Sequence, residues 1–177
     1  MKTWQALQQA FVGWQMIVRG DEGWREHFRF SAAGLVTALV LFYAFSFLAV
    51  VLASLQVGVP NVQSFLNIML VQTLWLVALV LALFGTRFAL KDQGAILPVL
   101  VPGTYALIAY LILGSLVALV LGALLPVLWA GLVYLLFRLG RVAGGWTNGV
   151  SAAFAFLAVV LLVGLPMSLY MLGNVST

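Results

Sequence analysis

GAILPVLVPGTYALIAYLILGSLVALVLGALLPVLWAGLVYLLF, from Gly94 to Phe137, contains no charged residue. As a single helix it would be about 65 Å long at ~1.5 Å per residue. That is about twice the ~30 Å of hydrocarbon in a bilayer, so the stretch has to turn back on itself. Gly122-Ala123 ahead of Pro126 is the expected turn, because Gly relaxes the backbone and Pro starts a helix well. The reading gives one span over residues 97–119 and a second, short for a full crossing, over 124–137. Exposed backbone cannot go unpaired in hydrocarbon, so this apolar turn belongs in the headgroup layer or under other protein. A re-entrant pair in place of two crossings is the competing reading.

Outward from this stretch the chain keeps the same character. It is 65% hydrophobic and 7% charged over 177 residues, with a mean hydropathy of +1.19. A soluble domain carries about 25% charged residues, so lipid has to be the solvent for most of this one. Further apolar stretches of sufficient length cover 32–55, 65–86 and 149–172, the last with Gly164 and Pro166 as an expected kink. The fold class is therefore all-α: a polytopic bundle of five transmembrane helices over residues 31–173, with a short tail at 174–177. There is no cysteine, which rules out disulfides and thiolate metal sites. Residues 1–30 lack the charged, apolar and small-residue order of a signal peptide.

Charge placement sets the orientation. Lys2, Arg19, Arg25 and Arg29 precede the first span, Arg87 and Lys91 follow the second, and Arg138 and Arg141 follow the fourth. The acids Asp21, Glu22, Glu26 and Asp92 and the one histidine, His27, share that side. Cytoplasmic loops carry the Lys and Arg excess, so the N-terminus is expected inside and the C-terminus outside, in a membrane of the bacterial inner (cytoplasmic) type. Five is the number of crossings that puts every charge on one face. Topology accounts for all eight cations, and no nucleic-acid partner is implied.

The first 30 residues differ in kind. Trp4, Leu7, Phe11, Trp14 and Val18 step by three and four, which makes one side of a helix. With tryptophans on that side and cations at its ends, such a helix anchors in the membrane interface, or packs against the inner ends of the spans. Gly20 should stop it. Asp21 should cap a second short helix, with Asp21–Arg25 and Glu26–Arg29 at salt-bridging spacings.

The expected spans hold no ionisable residue, and such groups usually mark relays and ion pathways. No catalytic, cofactor-binding or metal-binding residue is expected. His27 stands alone, and Arg19-Gly20-Asp21 is a coincidental match to an adhesion tripeptide. Neutral polarity gathers in span two and at its entrance, at Ser64, Asn67, Gln72 and Thr73, either as the lining of a cavity or as hydrogen-bonding glue between helices. Gly114, Ala118 and Gly122 form a small-residue seam for a dimer or for packing inside the bundle, and Ala152, Ala155 and Ala158 pose the same choice. Pro98 and Pro102 set the entry of span three. Arg138, Arg141 and Trp146 are placed to meet lipid headgroups.

Gly94 after span two, Tyr105 within span three, LWAGLVYLLFRLGRVAGGW from Leu128 to Trp146, and Ala152-Ala153 opening the last span carry a resemblance to the Yip family of five-span membrane proteins, named for binding Rab-type GTPases. The resemblance covers roughly residues 80–160. It implies five helices with the N-terminus inside, and no site residues. The expectation that follows is a non-enzymatic scaffold, assembly factor or accessory subunit working through helix contacts, with the bilayer, a second copy or another membrane protein as partner. The alternative is a small-solute or lipid-handling protein built on the span-two cluster. An enzyme using the charged face comes third.

Overall fold

The computed structural model describes residues 2–120 and 124–175. Among these the chain is all-helical and has no strand. Helix α1 (Lys2–Arg19) leads into a 3-10 turn (Glu22–His27). Five longer helices follow: α2 (Ala32–Val57), α3 (Val62–Leu90), α4 (Leu97–Val120), α5 (Leu125–Val142) and α6 (Asn148–Val175).

Local chemistry fixes the ends. Gly20 takes φ +87° and closes α1 with its N–H, and that of Asp21, on the Met16 carbonyl. The Ser31 hydroxyl caps α2 by accepting from the Gly34 amide at 3.2 Å, and Asn61 caps α3 by accepting from Ser64 at 2.8 Å. Each accepts a donor the helix cannot satisfy itself. That cap starts α3 at Val62, three residues before the expected 65, and α3 runs on to Leu90, enclosing Arg87. Helix α6 continues through Gly164 and Pro166. It reaches Val175, so the expected tail at 174–177 begins as helix, and Ser176 and Thr177 lie outside the described residues. Asp21 makes no side-chain cap, and neither Asp21–Arg25 nor Glu26–Arg29 is an ion pair; the 3-10 turn spaces its residues differently from the α-helix those pairs assumed.

Four helices are long and apolar enough to cross a membrane, over Ala32–Leu55, Val62–Leu90, Leu97–Val117 and Asn148–Met171. Five were expected. The difference is α5, whose 18 residues give about 27 Å and whose final turns carry Arg138 and Arg141. The expected turn at Gly122-Ala123 lies outside the described residues.

The helices alternate in direction. Leu79 and Leu139 approach Gly103, whereas Trp75 and Trp129 pack on Tyr110 at 5.4 and 5.0 Å between ring centroids. Residue numbers thus fall along α3 and α5 as they rise along α4. Gly140 of α5 meets Ser151 of α6, and Gly85 of α3 meets Leu157. The starts of α2, α4 and α6 and the ends of α3 and α5 therefore gather at one end of the bundle, and every described Arg, Asp and Glu side chain belongs to that end. Helix α4 is central, packed between α2 and α5, with α6 bridging α5 and α3. Leu79, Leu83, Leu107, Leu136, Leu139, Phe154 and Leu162 fill the core. Val36, Val40, Phe47, Phe84, Phe156 and Val160 point outward, as an apolar solvent permits.

Candidate functional site

Two loops at the charged end are tied together first. Arg87 of α3 is 8% exposed and donates through Nη2 to the Asp92 carbonyl at 3.1 Å and to the Gly94 carbonyl, with its Nε 3.8 Å from the Asp92 carboxylate. The Trp146 indole N–H donates to Asp92 Oδ2 at 3.4 Å, and Arg141 Nη1 donates to the Trp146 carbonyl at 2.6 Å. The Gly94 amide, bonded to Oδ1 at 2.8 Å, is the main influence holding Asp92 below the usual carboxylate range. Desolvation opposes it, and Trp146 and Arg87 add to the lowering.

Helix α1 is laid across this end. Trp14 Nε1–H donates to the Pro102 carbonyl of α4 at 3.0 Å. Arg138 of α5 donates to the Ile17 carbonyl at 3.1 Å, placing a cation at the negative end of the α1 dipole. The face that α1 buries is Ala10, Gly13 and Ile17. Gly13 is needed there, since a Cβ would stand 2.5 Å from Phe28 Cε2. The expected stripe is thus divided: Leu7 and Trp14 pack against the core, Val18 is half-buried, and Trp4 and Phe11 are 64% and 66% exposed.

A cavity lies on each flank of α1, and Tyr105 of α4 walls both. One is an apolar groove of about 490 Å³ among Leu7, Phe11, Val18, Ile108, Ala109 and Ile112, with Gln15 and Arg19 also on its wall. The other is a polar chamber of about 830 Å³. Gln5, Gln8 and Gln9 of α1, Glu26, His27 and Arg29 of the turn segment, and Thr37 of α2 line it. His27 Nδ1 shares a hydrogen bond with Gln9 Oε1 at 2.6 Å, so the histidine that stands alone in sequence has a partner. Among the described residues the one ion pair is Arg87–Asp92, leaving Glu26 and Arg29 both unpaired beside this chamber. The Phe28 ring lies 5.9 Å from that of Tyr105, tilted by 51°, and both line the chamber. No three His, Asp or Glu side chains among the described residues come close enough to hold a metal.

The residues singled out from sequence fall elsewhere. Asn67 is exposed and accepts from Gln63 one turn away. Ser64 is likewise exposed. Thr73 receives the Tyr43 hydroxyl of α2 at 3.1 Å while donating to the Met69 carbonyl. Gln72 is half-buried with no described partner for its oxygen. None of the four lines either cavity. A Cβ at Gly114 would meet nothing within 4 Å; the Ala118 side chain and Gly122 lie outside the described residues. Ala155 and Ala158 are fully buried in the bundle, and Ala152 is exposed. Arg138 and Arg141 bind backbone carbonyls, and Trp146 is 6% exposed against Phe154. The chamber could not be read from sequence because it is assembled from four separate segments; the glutamines of α1 opposite its apolar stripe are the one local sign. Comparison with known protein families, characterised proteins and solved structures gives no match.

Proposed function

We propose that α2–α6 cross the bilayer five times with the charged end in the cytosol, and that the protein binds a small zwitterion, free or as a lipid headgroup, in the chamber beside α1 without transforming it. The alternation of helix direction supports five crossings, because α5 runs the length between Tyr110 and the charged end in step with its neighbours. Its shortness suits a helix whose last turns carry arginines bonded to the α1 and loop carbonyls at the charged end. The resemblance to the Yip family implies the same topology.

The observation that carries the binding reading is the unpaired Glu26 and Arg29 on one chamber of about 830 Å³. That volume is within the range of small-molecule sites, roughly 300–1,000 Å³. A carboxylate and a guanidinium there suit a ligand with an ammonium and an anionic group, and the amides, Thr37 and His27 supply further hydrogen bonds. Glycerophosphoethanolamine, glycerophosphoglycerol and glycerol, added to the lipid-depleted protein in detergent, test it. The zwitterion should raise the unfolding midpoint, by about 1.4 kcal/mol of stabilisation at ten times its Kd, and Glu26→Gln with Arg29→Gln should abolish the rise. A midpoint indifferent to all three compounds refutes the proposal. Phosphatidylethanolamine in nanodiscs distinguishes a headgroup from a free solute.

Helix contact with a partner is the second reading, favoured by the open space over Gly114 on α4. A chain that stays monomeric and alone in mild detergent would refute it.

A further inference from the structure

We infer that the apolar groove on the other flank of α1 seats one acyl chain of an anionic phospholipid from the same leaflet, with the phosphate against Arg19. This site is separate from the zwitterion chamber, though it rests on the same orientation. The exposed Phe11 stands on the groove's α1 wall, and Trp4 and Val12 are exposed on the same helix, so the groove faces the bilayer rather than the cytosol. Its wall on α4 runs from Tyr105 to Ile112, about 10 Å along the helix axis, and Leu135 of α5 closes the far side. Besides the Tyr105 hydroxyl, and with the Trp14 N–H taken by Pro102, the groups on the groove's lining that can bond a headgroup are Gln15 and the exposed Arg19 near the end of α1.

Among the described residues Arg19 has no carboxylate partner. A second guanidinium lies close by: the Arg138 Nη2 sits 3.0 Å from where a Cβ on Gly20 would be. Lipid tails are as apolar as the groove, so a chain entering it from the bilayer gains little from the hydrophobic effect. Selection falls to the headgroup, and a phosphate with an uncompensated negative charge suits this end of a chain whose formal net charge is +4. A basic residue at the membrane surface favours anionic lipid by about five-fold.

Native mass spectrometry from micelles holding equal phosphatidylglycerol and phosphatidylcholine tests the assignment. Wild type should retain one phosphatidylglycerol about five-fold over phosphatidylcholine. Arg19→Gln, an exposed change that leaves the fold alone, should keep a lipid and lose the preference. Ala109→Phe should fill the groove and release the lipid, with unfolding midpoints checking that both variants are folded. Equal retention of the two lipids by wild type, unchanged preference in Arg19→Gln, or a lipid-free dimer covering the groove would each overturn the assignment. Glu26→Gln with Arg29→Gln should leave lipid retention intact; if they abolish it, the lipid sits in the chamber and the groove assignment fails, whereas the chamber reading stands or falls on the glycerophosphoethanolamine shift.

Discussion

Trp14→Phe removes the indole N–H with two ring carbons and keeps a six-membered aromatic ring in place. In the native structure that N–H donates to the Pro102 carbonyl at 3.0 Å, a side-chain bond that ties α1 directly to α4. A typical intramolecular hydrogen bond contributes about 0.5–1.5 kcal/mol net. At about 1.4 kcal/mol per factor of ten, the equilibrium between docked and undocked α1 should shift by about 2- to 12-fold. Because α1 walls both cavities, a chamber ligand should lose affinity only in proportion to the fall in the docked fraction, so exchange is the sensitive readout. Hydrogen exchange followed by mass spectrometry in micelles reads the first effect. Amides of α1 and of the 3-10 turn should exchange faster by that factor, since Gly13 packs on Phe28, while α3 and α6 stay unchanged. Unaltered exchange in α1 would refute the reasoning. So would faster exchange throughout the bundle, which would make Trp14 a global stabiliser rather than a local tether.

Gly13→Ala should separate α1 from Phe28, with which the new methyl would collide at 2.5 Å; overpacking of this kind costs about 1–3 kcal/mol, visible as faster exchange in α1 and loss of the chamber ligand. Gly140→Ala should be less stable than Gly131→Ala by about 1–3 kcal/mol in detergent unfolding: at Gly140 the methyl meets Ser151 Cα at 3.2 Å, and at Gly131 it meets nothing within 4 Å. The helix-propensity gain of about 1 kcal/mol is common to the two and cancels. Asp92 should make stability depend on acid. Its folded carboxyl ionises below the ordinary aspartate range, so its contribution is complete above the unfolded pKa and disappears as pH falls through the lower, folded one. The stability gap between wild type and Asp92→Asn should be constant near neutrality and close below about pH 4; a gap that widens in acid would contradict the assignment.

The long helices were legible because lipid as solvent leaves a strong signal. Helix α2 begins at the expected residue, and α4 begins at Leu97 as expected and ends one residue later. The gathering of charge at one end was equally legible, since loop cations are a local property of the sequence. Helix α5 was less so, because an apolar count cannot say whether a helix continues through Arg138 and Arg141, whose charges find carbonyl partners only in the folded chain. Which face of α1 meets the bundle is hard to read from sequence for a related reason. The apolar stripe runs through Trp4 and Phe11, yet α1 buries Ala10, Gly13 and Ile17, with Gly13 permitting the close approach to Phe28. The polar cluster of α3 is plain in the sequence, but Asn67 bonds along its own helix and Thr73 to Met69 and Tyr43, and none of the four lines either cavity. The chamber depends on long-range contacts such as Gln9 to His27 and Trp14 to Pro102, and no periodicity encodes those.

The chain has no cysteine, so single cysteines at four exposed sites report sidedness directly. Val59→Cys lies in the α2–α3 turn and Leu124→Cys at the start of α5; Gln93→Cys and Thr147→Cys lie in the two loops at the charged end. With an impermeant maleimide on intact cells, Val59→Cys and Leu124→Cys should label, and Gln93→Cys and Thr147→Cys should label only after the membrane is opened. Labelling of Gln93→Cys or Thr147→Cys from outside, or protection of Leu124→Cys together with labelling of Val59→Cys, would contradict five crossings with a cytosolic charged end.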